Sequence, residues 1–103
     1  NLNMMSSTTA DKIYKDNPML EVKSAGINIE AFVRIDDQLV DWADIIFVME
    51  KNQKKFIEKK FKTTCLDKKI INLNISDDYY YMDPDLVTIL KSTVETHINH
   101  YCE

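Results

Sequence analysis

Glycine is nearly absent, with Gly26 the single one in 103 residues. That excludes a glycine-rich loop of the dinucleotide-binding type, which needs several residues without a Cβ close together. Cysteine is scarce as well. Cys65 and Cys102 stand far apart with no second pair, a spacing that suits neither zinc nor a redox couple. Two free thiols in a reducing cytoplasm are the plain reading. No apolar run approaches the ~20 residues that a bilayer span requires, and no signal peptide is visible. The formal charge of −4 argues against nucleic acid or an anionic membrane as main partner.

What is present alternates between strand and helix. Ser6 to Asp16 reads as a helix, with Ser6 or Ser7 as cap and Ala10, Ile13 and Tyr14 on one face. Asn17-Pro18 stops it. Leu20 to Ala25 alternates as a strand that ends at Gly26, and Ala31 to Ile35 reads as loop. Asp36 to Asp44 forms a short helix. Ile45-Ile46-Phe47-Val48-Met49 follows, a run of apolar residues that fits a strand buried on both faces. Lys51 to Phe61 is a basic helix with Phe56, Ile57 and Phe61 turned inward, and Lys69 to Ile75 is a third strand. The last helix is capped by Asp83 and opens on Pro84, where a missing N–H costs nothing. Leu86, Ile89, Leu90, Val94, Ile98 and Tyr101 recur along it at spacings of three and four. No linker, repeat or low-complexity tract divides residues 1–103, so one α/β domain is expected, its parallel sheet covered by helices on both faces.

The opening residues, Asn1-Leu2-Asn3-Met4-Met5-Ser6-Ser7-Thr8-Thr9-Ala10-Asp11, resemble the Cys-x5-Arg-Ser-x-Thr-Ala-Glu phosphate loop of the low-molecular-weight protein tyrosine phosphatases. Ser7, Thr9 and Ala10 match, Asp11 stands for Glu, and Asn3 matches an Asn common inside the loop. Further segments resemble the family in the right order. They are Val22-Lys23-Ser24-Ala25-Gly26, Trp42 to Glu50, Asp77-Asp78-Tyr79-Tyr80 at the place of the acid loop, and Met82 to Val87. The last is similar to the helix start of a short bacterial subgroup of predicted phosphatases.

The resemblance implies a three-layer α/β/α fold with a four-stranded parallel sheet of order 2-1-3-4. It implies hydrolysis of phosphotyrosine or aryl phosphate through a cysteinyl-phosphate, without metal or other cofactor. Asp77 takes the place of the general acid. Asn3, Met4, Met5, Ser6 and Ser7 take the place of the phosphate loop, whose amides cradle the anion. Tyr79 and Tyr80 take the place of the aromatic wall. The residues alone also allow plainer roles: a solvated acid at Asp77, tyrosines covering a sheet edge, a frayed terminus at Asn3 and a helix cap at Ser7.

Two departures cut against the chemistry. The nucleophilic Cys falls one residue before Asn1, and the anion-binding Arg falls on Ser6. A serine offers one neutral hydroxyl where the guanidinium offers a charged fork. The strand that should feed the loop is also absent from the chain in this register, so about six residues are expected to precede Asn1 to fill the inner sheet position. As it stands, the chain is expected to be inactive. A non-catalytic module binding phosphate, sulfate or a protein partner is the alternative. If it is active, a phosphorylated protein or a small aryl phosphate is the expected substrate. The arsenate reductase activity that shares this fold ranks last, because it needs further redox cysteines. The lysines of Lys51 to Lys60 read as a solvated face, or as a surface that steers an acidic partner. His97 and His100, three apart, gather no further metal ligands.

Overall fold

The computed structural model describes residues 2–25, 34–76 and 78–101. Eight elements alternate: β1 (Leu2–Ser6), α1 (Thr8–Tyr14), β2 (Leu20–Ser24), α2 (Asp37–Trp42), β3 (Ile45–Val48), α3 (Lys51–Lys60), β4 (Lys69–Asn72) and α4 (Pro84–Tyr101). All four strands are parallel, in the order β2-β1-β3-β4. The expected architecture and strand order are therefore the observed ones.

One expectation is corrected. The inner strand is not absent, because Leu2–Ser6 is that strand. Met4 pairs with Val22 on one side and Ile45 on the other, and Met5 with Lys23 and Ile46. Both methionines are buried. The sequence Leu-Asn-Met-Met-Ser holds no β-branched or aromatic residue, so its local strand preference is weak. Pairing on both edges and burial on both faces override that preference. With the inner position filled, the argument for a strand missing ahead of Asn1 falls away.

Side-chain alternation divides the core in two. Leu2, Met4, Ile45 and Phe47 point to a layer completed by Ala10 and Tyr14 of α1 and by Leu86, Leu90, Val94 and Ile98 of α4. Met5, Ile46 and Val48 point to the opposite layer, with Val40 of α2, Ile57 of α3, Phe61 and Cys65. The continuous apolar run at β3 is thus explained by burial on both faces.

The helix caps follow the sequence. Ser7 Oγ accepts from Ala10 N–H at 3.2 Å, Asp36 from Leu39 N–H at 2.8 Å, and Asp83 from Asp85 N–H at 3.0 Å. At α3 the Gln53 side chain reaches back, its Oε1 accepting from Met49 N–H at 2.8 Å and Glu50 N–H at 3.2 Å. β4 ends earlier than the pattern suggests. Asn74 sits at φ 55, a left-handed conformation that Asn tolerates, and its N–H bonds to Asn72 Oδ1 at 3.0 Å. On either side of that kink the chain still follows β3, with Leu73 N–H on Val48 O and Ile75 N–H on Met49 O. Among the described residues no helix is long and apolar enough to cross a membrane.

Tyr14 carries a cost into the core. Its side chain is buried between α1 and α4, and its hydroxyl has no hydrogen-bond partner among the described residues. Burial, with a smaller push from the Glu95 carboxylate, raises its pKa from 10 to about 12. Below pH 10 the phenol is neutral folded and unfolded alike. Above it the unfolded chain releases the proton first, so stability falls as pH rises from 10 to about 12. The expected loss is on the order of 1–3 kcal/mol. Tyr14→Phe is expected to flatten that decline and to raise stability at neutral pH by up to about 1 kcal/mol. Urea midpoints measured across this pH range check both effects.

Candidate functional site

The sheet order creates a natural crevice. From β1 the chain crosses through α1 to β2 on one side, and from β3 through α3 to β4 on the other. The connections diverge between β1 and β3, and ligands of open α/β sheets bind at the carboxyl ends of strands at such a point. A cavity of about 120 Å³ lies there. Ser6, Ser7, Ala25, Met49 and Gln53 line it, over an apolar floor of Met5, Phe47, Val48 and Ile57.

The lining carries no charged side chain. Arg34, the single arginine of the sequence, borders a different depression beside Asp36 and Trp42. The polar groups of the crevice are hydroxyls and one carboxamide. Ser7 Oγ is used as the α1 cap and Gln53 Oε1 as an acceptor at α3. Ser6 is different. It is 4% exposed, and its Oγ has no hydrogen-bond partner among the described residues.

The expected phosphate loop does not form. Asn3, Met4, Met5 and Ser6 are strand residues, and Ser7 alone separates β1 from α1. The helical half of the signature lies where the resemblance puts it, with Ser7, Thr9, Ala10 and Asp11 opening α1. The half that should wrap an anion is extended backbone, its amides spent on neighbouring strands. Asn3 serves the opposite end of the sheet. Its N–H donates to Asp44 Oδ2 at 2.8 Å, its Nδ2 to Trp42 O at 3.0 Å, and its carbonyl accepts from Asp44 N–H at 2.7 Å. It holds the α2–β3 turn.

Asp77 lies outside the described residues. The tyrosine run does reach α1, through Tyr79 and Tyr81. Tyr79 is half-buried against the α1/α4 core. Tyr80 is 67% exposed. Tyr81 borders a shallow hollow with Thr8, Asp11, Lys12 and Lys15. None of the three lines the crevice. The loop is anchored by Met82, held at φ 62, whose N–H donates to Thr9 Oγ1 at 3.1 Å. Such a conformation in a non-glycine residue is uncommon and is held here by the contacts on either side.

Gln53 is a crevice residue that sequence reasoning missed. The Glu50-x-x-Gln53 spacing before a helix is a capping-box pattern and offered a signal for Gln53. Nothing local marks the contact of Thr9 with Met82, which is distant in sequence. Elsewhere, His97 stacks near Phe47 with ring centroids 6.0 Å apart. Among the described residues no three His, Cys, Asp or Glu side chains gather to hold a metal ion. The Cys65 thiol is buried in the α2/α3 layer, and Cys102 lies outside the described residues.

Comparison with protein-family models finds no match, and comparison with curated proteins finds none either. Among solved structures, YwlE arginine phosphatase from Geobacillus stearothermophilus is similar. The TM-score is 0.68 and the identity 16%, over 97% of this chain and 95% of that chain. At that identity the likeness establishes the fold, the one the opening resemblance implied.

The Asn3 contacts generate a test. Asn3→Ala strips a donor from the Trp42 carbonyl and is expected to cost about 1 kcal/mol. Any thermal shift induced by sulfate or phosphate should be unchanged, because Asn3 is outside the crevice lining. A melting series with and without each anion measures both.

Proposed function

We propose that this chain is a non-catalytic protein on the low-molecular-weight phosphatase fold, working as a binding module and not as a phosphoryl-transfer enzyme. The observation that carries this reading is the direct passage from β1 through Ser7 into α1, which leaves no loop to encircle a phosphate.

The chemistry argues the same way. Covalent transfer needs an activated nucleophile, and a serine hydroxyl is weak without an adjacent base. No His, Asp, Glu or Lys lines the crevice beside Ser6. A transferring phosphoryl group also needs donors or cations aimed at its oxygens, and charged donors are worth roughly twice neutral ones. The crevice is small besides: about 120 Å³, where small-molecule sites span roughly 300–1,000 Å³. On the alternative reading of an active enzyme, Asp77 would be the acid and Tyr79 and Tyr80 the ring wall, with a phosphorylated protein or aryl phosphate as substrate. The cytoplasm is the proposed setting, in keeping with the unpaired Cys65 thiol.

A residual ligand site is favoured by one detail. The buried Ser6 Oγ lacks a partner among the described residues, and leaving such a group unpaired costs about 1–3 kcal/mol. A small oxyanion or another hydrogen-bond acceptor entering the crevice would satisfy it. Sulfate and phosphate are the simplest probes, and weak binding is expected because no cation supports it.

The purified chain is expected to hydrolyse aryl phosphate at the background rate. Turnover that disappears in Asp77→Asn or Ser6→Ala would overturn the proposal. Ser6→Ala alone is expected to be neutral or to stabilise the fold by about 1 kcal/mol, and to remove any anion-induced shift in melting temperature.

A further inference from the structure

Charge is distributed unevenly over this molecule. Between Lys51 and Lys69 eight lysines face two acids, Glu58 and Asp67, in a chain whose formal charge is −4. That stretch is therefore +6 and the remainder −10. Much of its positive charge surrounds a groove of about 410 Å³ between α3, the turn after it and β4. Lys54, Lys62, Lys68 and Lys69 line the groove, with Glu58 as its lone acid and the exposed Leu66 as an apolar knob. Lys68 Nζ is tied to Asp41 O at 2.7 Å. Among the described residues Lys54 and Lys62 have no carboxylate in ion-pair range.

The groove runs beside an open edge. β4 is the last strand of the sheet, and no described strand pairs with its far side. Leu73 and Ile75 donate to β3. By the two-residue period of a strand, Ile70 and Asn72 then turn their backbone N–H and C=O groups outward. Open edges are sites for added strands, and edge lysines normally deter neutral or basic ones. An acidic strand reverses that penalty.

We propose that the β4 edge and its lysine groove form a docking surface for an extended, acidic segment of a partner protein, paired as a fifth strand with its carboxylates against Lys54 and Lys62. The complement is not a second copy through its other edge. β2 carries one Glu and one Lys, with no excess of negative charge. This proposal is separate from the β1–β3 crevice and holds whether or not that crevice turns over phosphate.

The test titrates the full chain with a fluorescein-labelled peptide of alternating Glu and Val, and with its Lys and Val counterpart. Amide exchange at Ile70 and Asn72 is followed in parallel. The acidic peptide should bind, weaken as salt rises, and slow exchange at those two amides. The double variant Lys54→Glu/Lys62→Glu, checked for folding by its melting curve, should lose about tenfold in affinity for the acidic peptide. It should also gain affinity for the basic one. Several results would overturn the proposal: no binding of the acidic peptide at low salt, equal binding of both peptides, affinity unmoved by the double variant, or binding without protection of Ile70 and Asn72. Aryl phosphate turnover would sink the non-catalytic reading alone and leave this surface untouched.

Discussion

The structure depends on one strand. β1 is paired on both edges and buried on both faces, and each half of the core is built against it. Leu2 and Met4 support the layer of α1 and α4, and Met5 the layer of α2 and α3. Asn3 ties its start to the α2–β3 turn through three hydrogen bonds. Ser6 ends it at the crevice. A segment with weak strand preference is held extended because every backbone group that leaves the ladder would be a buried, unpaired one.

That constraint also shapes the crevice. Residues committed to a ladder cannot curl around an anion. The fold has a helix start, a switch point between β1 and β3 and the approach of the tyrosine run to α1. It holds these parts without a charged clamp in the lining. The geometry of a site and the chemistry of a site are separable, and here an open switch point is lined by neutral side chains.

Much of the architecture was legible in the residues. The apolar run at β3, the spacing along α4 and the Ser7 and Asp83 caps each state their element through local chemistry. β1 was not legible, because its identity comes from neighbours contributed by β2 and β3. Its likeness to a loop signature also drew Met4 and Met5 into the wrong role. The end of β4 was missed because Asn74 breaks the strand at a residue flanked by Leu73 and Ile75, which still read as strand. Within the site, the α1 half of the motif was readable. The burial of Ser6 and the contact of Met82 with Thr9 were not, since both arise only when distant segments meet.

The double pairing of β1 has a consequence for biosynthesis. Met4 and Met5 leave the ribosome well ahead of Val22 and Lys23, and further still ahead of Ile45 and Ile46. β1 cannot gain its second ladder until β3 has emerged. Until then the backbone groups of β1 that face β3 lack the partners they have in the finished sheet.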